Sequence, residues 1–245
     1  METRYYNEYS QCLNRDMDFI VYGHTGIPIL VFPAQDGHCQ DYENFGMVDT
    51  IKDKIEQGLV QLFCVGSVDE ESYSDEMGNP AHRSYILEQF YYHICDEMVP
   101  RIHEINGTGK MIYTTGCSLG ATHAANMMLR RPDLFMGCIG LSGYYDTDLF
   151  FGQYVDENIY NNSPLKYLNG MSSNHPYVAL YNQRKIILCC GQGAWEDEMV
   201  KSTGLMKETF DRLGVHAWTD FWGYDVNHDW DWWRQQLPYF LGHIL

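Results

Sequence analysis

The sequence predicts an α/β fold, a mostly parallel sheet covered by helices on both faces, and three observations predict it. Short apolar runs rich in β-prone residues alternate with helical patterns along most of the chain. Strand, sharp turn and small-residue helix follow one another without a break over Met111–Ala125, centred on Gly116-x-Ser118-x-Gly120. Ser118, the acidic pair Glu196 and Asp197, and His228 each fall just beyond the end of a predicted strand.

At 245 residues the chain is long enough for one well-cored domain, and a single domain spanning 1–245 is expected. The formal net charge of −17 disfavours nucleic acid and an anionic membrane surface as partners. Cys64, Cys138 and the adjacent Cys189 and Cys190 sit inside apolar runs, which suits buried thiols better than a disulfide framework. The first residues are polar and acidic, and no run approaches the length of a membrane span, so a cytoplasmic protein is expected.

Asp18–Tyr22 and Ile27–Phe32 flank the turn-prone Gly23–Gly26, so the chain is expected to open with two short strands. The second runs into Pro33–Gly37, a glycine-containing loop. Met47, Val48, Ile51 and Ile55 predict a helix over Phe45–Ile55 closed by Gly58, and Leu59–Val65 reads as a continuous buried strand. After an acidic loop from Asp69 to Asn79, Pro80 starts a long helix with the stripe Ile86, Phe90, Ile94 and Met98, which Pro100 kinks or ends. Asn106–Lys110 lacks the spacing of a phosphate loop and reads as a turn.

The central stretch follows. A serine on a strained strand-to-helix turn projects its hydroxyl from the top of a sheet, and flanking glycines admit backbone that a side chain would block. The helix begins beneath it, so free N–H groups and a positive dipole end face any anion formed there. Ala121, Ala124, Ala125, Met128 and Leu129 keep helical spacing until Arg131-Pro132. Phe135–Ser142 is the next buried strand.

Between Gly143 and Arg184 the alternation lapses into an aromatic-rich insert, expected to wall a pocket while most of its rings pack it onto the sheet. Lys185–Cys190 is a strand running into Gly191–Glu198, where acidic side chains stand just past the strand end. A helix from about Val200 to Leu213 stops at Gly214. His216–Trp222 reads as the last strand, and Trp230–Ile244 as a closing aromatic helix.

An α/β hydrolase presents nucleophile, acid and histidine in that chain order, which Ser118, Glu196 or Asp197, and His228 match here. Histidine suits the middle role because its near-neutral pKa lets it take the serine proton and return it to the leaving group. Leu119 N–H and a backbone N–H at Gln35 or Asp36 are the candidate oxyanion donors. His123 lies on the helix just after the serine and reads as a packed, hydrogen-bonded core residue, whereas His38 is close enough in sequence to the oxyanion loop to line the pocket. Cys117 is expected to be buried and inert. Asp225–Asp229 imitates half a calcium loop but lacks the glycine and the final carboxylate, so no metal is expected.

Phe32–Gly37, Glu43–Met47, Gly116–Asn126, Arg131–Phe135 and Asn227–Tyr239 together resemble the esterase family related to esterase D, the S-formylglutathione hydrolases, bacterial carbohydrate esterases and the mycolyltransferases. That resemblance implies an α/β-hydrolase sheet, hydrolysis of carboxyl esters or thioesters, no cofactor, and Ser118 and His228 as nucleophile and base. An acidic residue directly after an aromatic, as in relatives, favours Glu196 over Asp197, which is then free to cap the following helix. Relatives often have small residues where Gln35 and Asp36 stand, and a carboxylate beside an oxyanion is tolerable only if it points away.

The expected activity is that of a serine esterase on a small-molecule ester. Its rivals are an acyltransferase using the same acyl-enzyme and a catalytically silent binding module on the same scaffold. Homo-oligomerisation is left open.

Overall fold

The computed structural model describes residues 1–245. Eight strands form one sheet: β1 Thr3–Ser10, β2 Arg15–Tyr22, β3 Ile27–Phe32, β4 Val60–Val65, β5 Ile112–Cys117, β6 Phe135–Leu141, β7 Lys185–Cys190 and β8 Trp218–Phe221. They lie in the order β1-β2-β4-β3-β5-β6-β7-β8. β1 and β2 pair antiparallel, as do β2 and β4, and every later pair is parallel. This is the α/β-hydrolase arrangement, with β5 and its serine turn near the middle.

Alternate residues of each central strand enter opposite cores. Leu30 and Phe32 of β3 join Phe63, Phe90, Phe135 and Phe210 on one face, while Ile29 and Val31 join Ile51, Ile55, Trp233 and Phe240 on the other. Burial on both faces explains why these strands read as unbroken apolar runs.

The amino-terminal strand departs from the sequence expectation of two opening strands. Thr3–Ser10 pairs along its whole length with β2, from Thr3 opposite Tyr22 to Ser10 opposite Arg15. As a sheet edge it buries little, so Tyr5, Asn7 and Tyr9 stay exposed and its pattern reads as polar. What docks it is Tyr6, stacked on Phe19 at 4.6 Å.

The helix expected over Phe45–Ile55 is three short ones: α1 Asp41–Asn44, α2 Met47–Thr50 and α3 Lys52–Glu56. Gly46 at φ 76° and Ile51 at φ −126° break it. Met47, Val48, Ile51 and Ile55 are all buried nonetheless, so the core contacts implied by the apolar spacing survive the breaks.

Pro100 does not end the helical run. α4 Pro80–Tyr92 opens into a π-helical turn, His93–Met98, and resumes as α5 Val99–Asn106. The wider turn gives the proline ring room beside the preceding carbonyls.

α6 Leu119–Arg130 follows β5 directly. Four short helices, α7 Asp148–Phe151, α8 Glu157–Asn161, α9 Pro164–Asn169 and α10 Pro176–Tyr181, make up the insert. α11 Asp197–Leu213 begins three residues earlier than the sequence suggested, and α12 Trp230–Leu241 closes the chain. No helix is long and apolar enough to cross a membrane. All eight cysteines are unpaired.

Candidate active site

Ser118 is the sharp turn between β5 and α6, at φ 56° and ψ −126°, a conformation that L-residues seldom adopt. The glycines explain how the chain tolerates it. A Cβ on Gly116 would meet the Gly120 carbonyl at 2.4 Å, and one on Gly120 would meet the Pro33 carbonyl oxygen at 2.3 Å. Both positions therefore need glycine for close backbone approach.

His228 sits in the loop after β8, with its Nε2 2.9 Å from Ser118 Oγ. Its Nδ1 faces Glu196 Oε2 at 3.5 Å. The histidine side chain keeps 14% exposure and the carboxylate 1%, so the acid is shielded from solvent while the histidine is partly open. Two loops carry these groups and brace each other: His228 N–H donates to Ala194 C=O at 3.0 Å, Gly193 N–H to Val226 C=O at 2.8 Å, and Ala194 N–H to Asn227 Oδ1 at 2.8 Å.

Between them Trp195, at φ 66°, turns its own ring out to 83% exposure and sends Glu196 inward. Asp197, the alternative acid, is exposed as the first residue of α11. The expectation that Asp197 caps this helix is corrected. Because the helix starts at Asp197 itself, the capping position belongs to Glu196, whose side chain makes no capping bond.

A cavity of about 370 Å3 opens over Ser118 and His228. Gln35, Leu119 and Ser142 line its polar end, and Tyr144, Leu149, Phe150, Trp195 and Met199 line the rest. No Lys, Arg, Asp or Glu contributes to its wall. The N–H groups of Leu119 and Gln35 donate to no backbone carbonyl. Gln35 Nε2 donates to Ser74 Oγ at 2.8 Å, holding that loop in place. Asp36 is not part of the lining. A larger hollow, about 430 Å3, lies beneath the amino-terminal ends of β7 and β8 and contains neither Ser118 nor His228.

His38 does not line the pocket. It is exposed beside Asp16 and Asp18 in a different hollow, because the loop turns at Asp36 and Gly37 before reaching it. His123 is a core residue, 2% exposed, with Nε2 2.9 Å from Asp69 Oδ1. Cys117 is fully buried with Sγ 3.8 Å from Tyr42 Oη, and burial pushes its thiol far above the usual range. No group of three or more His, Cys, Asp or Glu side chains is arranged to hold a metal ion.

Two buried residues at this site went unmarked in the sequence. In the linear pattern Ser142 reads only as the end of a strand and Trp233 as part of an aromatic helix, yet Ser142 Oγ donates to Glu196 Oε1 at 2.5 Å and accepts from Trp233 Nε1 at 3.1 Å. A serine followed by glycine at the end of the strand after the serine turn is the one local signal for the first. Nothing in the local pattern marks the second.

The family model described as "Putative esterase" matches residues 10–244. Among solved structures, a ferulic acid esterase superposes with a TM-score of 0.78 at 15% identity, over 99% of this chain and 97% of that one. An S-formylglutathione hydrolase from Staphylococcus aureus gives 0.67 at 14%, over 98% and 96%. MPT51 of Mycobacterium tuberculosis gives 0.71 at 16%, over 98% and 97%. At such identities these likenesses speak for the fold. Comparison with curated proteins finds no match.

Proposed function

The chain belongs to this esterase family, and from that premise we propose that it hydrolyses carboxyl esters or thioesters through an acyl-enzyme on Ser118. The observation that carries the reading is the alignment of Ser118 Oγ, 2.9 Å from His228 Nε2, with a His228 Nδ1 that faces the buried Glu196 Oε2 at 3.5 Å, beside a cavity. A distance of 3.5 Å is long for a hydrogen bond, and such contacts commonly tighten only when substrate is bound.

In the first half-reaction Ser118 Oγ adds to the ester carbonyl as His228 Nε2 takes its proton. Leu119 N–H and Gln35 N–H hold the resulting oxyanion, aided by the positive end of α6. Glu196 keeps the proton on Nδ1 and stabilises the imidazolium. His228 then gives its proton to the departing alcohol or thiol. In the second half-reaction water adds to the acyl-enzyme by the same route, and Ser118 regains its proton as the acid leaves.

The cavity wall speaks for the substrate's chemistry. Tyr144, Leu149, Phe150, Trp195 and Met199 offer apolar and aromatic surface with no cation to hold an anionic group. Neutral esters with an aromatic or medium-length aliphatic part suit it. The eight unpaired cysteines suit a reducing, cytoplasmic setting.

A fluorophosphonate probe tests the reading, followed by nitrophenyl esters of rising acyl length. The wild-type protein should take the label, and Ser118→Ala should neither label nor turn over. That variant should lose roughly four orders of magnitude in kcat with its thermal midpoint almost unchanged. Most activity surviving in Ser118→Ala would remove the serine from the chemistry. Adding a primary alcohol to the assay separates hydrolysis from acyl transfer.

A further inference from the structure

Glu196 is fully buried, and its two oxygens have different company. Oε1 receives the Ser142 hydroxyl at 2.5 Å and Gly191 N–H at 3.3 Å. Oε2 has no hydrogen-bond partner and faces His228 Nδ1, itself without one, at 3.5 Å. A carboxylate pinned at one oxygen can still aim the other, so whatever holds Oε1 decides where Oε2 points.

The direction of that bond follows from the donor inventory. Trp233 Nε1–H can only donate, and it points at Ser142 Oγ from 3.1 Å. The Ser142 oxygen is thereby an acceptor, and its single proton is left for the carboxylate, which accepts. The order Trp233 to Ser142 to Glu196 is thus forced by chemistry. The same indole stands edge-on to the His228 ring, 4.9 Å between centroids at 84°. Trp233 thus touches the base directly and reaches the acid through one hydroxyl.

The backbone at Ser142 adds a second, independent mark. It lies at φ 56°, left-handed, where glycine would be unstrained, and its N–H bonds Cys189 C=O at 2.6 Å. This bond extends the β6–β7 ladder one step past Leu141 opposite Cys189 and sets the hydroxyl beside the loop that carries the acid. A strained serine persists where its side chain has a use.

We propose that Ser142 and Trp233 are positioning residues that orient the Glu196 carboxylate toward His228; this rests on the reading that Ser118 is the acylated nucleophile. Ser142 borders the cavity, but its hydroxyl proton is spent on the carboxylate and the Trp233 N–H on that hydroxyl, so both act through the acid. Removing the hydroxyl frees Glu196 to rotate away from Nδ1.

The decisive variant is Ser142→Gly, since glycine accepts the left-handed backbone and the protein should fold, with a melting point lowered only by the loss of the buried hydroxyl's hydrogen bonds. Its kcat should fall roughly 10- to 100-fold, the range seen when the partner that orients an active group is lost, while KM moves less than about twofold. Trp233→Phe keeps a ring against His228 but removes the N–H, and should show a smaller loss of the same kind. In a Glu196→Gln background, Ser142→Gly should cost less than about threefold, because its effect runs through the acid.

A Ser142→Gly enzyme within about twofold of wild type overturns the proposal. So does a full loss repeated in the Glu196→Gln background. Fluorophosphonate labelling separates this from the reading beneath it. A wild type that labels, with Ser142→Gly unimpaired, sinks only the positioning role, whereas a wild type that neither labels nor hydrolyses sinks both.

Discussion

Two histidine–carboxylate pairs have their histidines downstream of the serine turn in sequence but lie in unlike surroundings, and they differ in everything except their functional groups. His228 reaches Ser118 from 110 residues away, uses Nε2 for the serine, turns Nδ1 toward Glu196 and keeps 14% exposure. His123 is only five residues past Ser118, yet it spends Nε2 on Asp69 at 2.9 Å and is 2% exposed. Phe32, Phe90 and Tyr73 enclose its ring. A histidine beside a buried carboxylate is therefore no catalyst in itself. The pair at His228 is open at the nitrogen facing the cavity and slack at the other, whereas the pair at His123 is closed and tight.

The comparison breaks most visibly at the acid. Glu196→Gln should lower kcat by roughly three to four orders of magnitude, because an amide neither stabilises the imidazolium nor fixes the productive tautomer. Melting behaviour should change far less. Steady-state kinetics with a nitrophenyl ester decides it, and a kcat near wild type would leave the acid role vacant.

Asp69→Ala should give the opposite pattern. Breaking a buried pair by removing one partner costs about 3–5 kcal/mol, so the urea midpoint should drop sharply while kcat per labelled site stays within about twofold of wild type. A loss of kcat by orders of magnitude in protein that remains folded would mean that His123 communicates with the site.

A third pair, His93–Glu97, lies between these extremes and sharpens the comparison through pH. Burial alone would raise the Glu97 carboxyl, but hydrogen bonds from Ser10 and His93 and from the Cys12 backbone hold it down to about 2. Burial also pushes the His93 imidazole below its ordinary value, against the pull of Glu97. Both depressions have the same sign. The unfolded chain binds the protons first, so their stability is full above pH 6.5 and is lost as pH falls, first through His93 and then from about 4.5 toward 2 through Glu97. Glu97→Gln should cost roughly 1–3 kcal/mol at neutral pH and flatten the acid limb of a stability-against-pH curve measured in urea. An unchanged slope below pH 4.5 would show that Glu97 does not carry it.

Asp197→Asn should do least. An exposed carboxylate in the first turn of α11 interacts with the helix dipole alone, worth about 0.3–1 kcal/mol, and kcat should be unaffected. A kcat loss larger than that of Glu196→Gln would exchange the two acids.

Much of this was legible in the linear chain because it is local. The serine turn is a five-residue pattern whose neighbours form strand and helix on their own account, and apolar runs such as Ile27–Phe32 and Lys185–Cys190 need no partner to be recognised. Elements whose burial depends on distant residues were not. β1 is a strand because β2 pairs with it, and Pro100 stays within its helical run because a π turn precedes it. The choice between Gln35 and Asp36 also lay beyond the pattern, since adjacent residues in a loop differ only in where the folded loop aims them.

The sequence by itself determined the alternation of strands and helices, the strained serine turn and the placement of Ser118, the Glu196–Asp197 pair and His228 just past strand ends, since each rests on short-range sterics and apolar periodicity. Tertiary structure alone decided which of two neighbouring acids meets the histidine. At Trp195 a single left-handed residue turns Glu196 inward and leaves Asp197 in water, and only the packing of that loop against Val226 and Asn227 selects that conformation. It also decided that Ser142 and Trp233 belong to the site. They are 91 residues apart, and their hydrogen bond exists because β6 and α12 pack side by side.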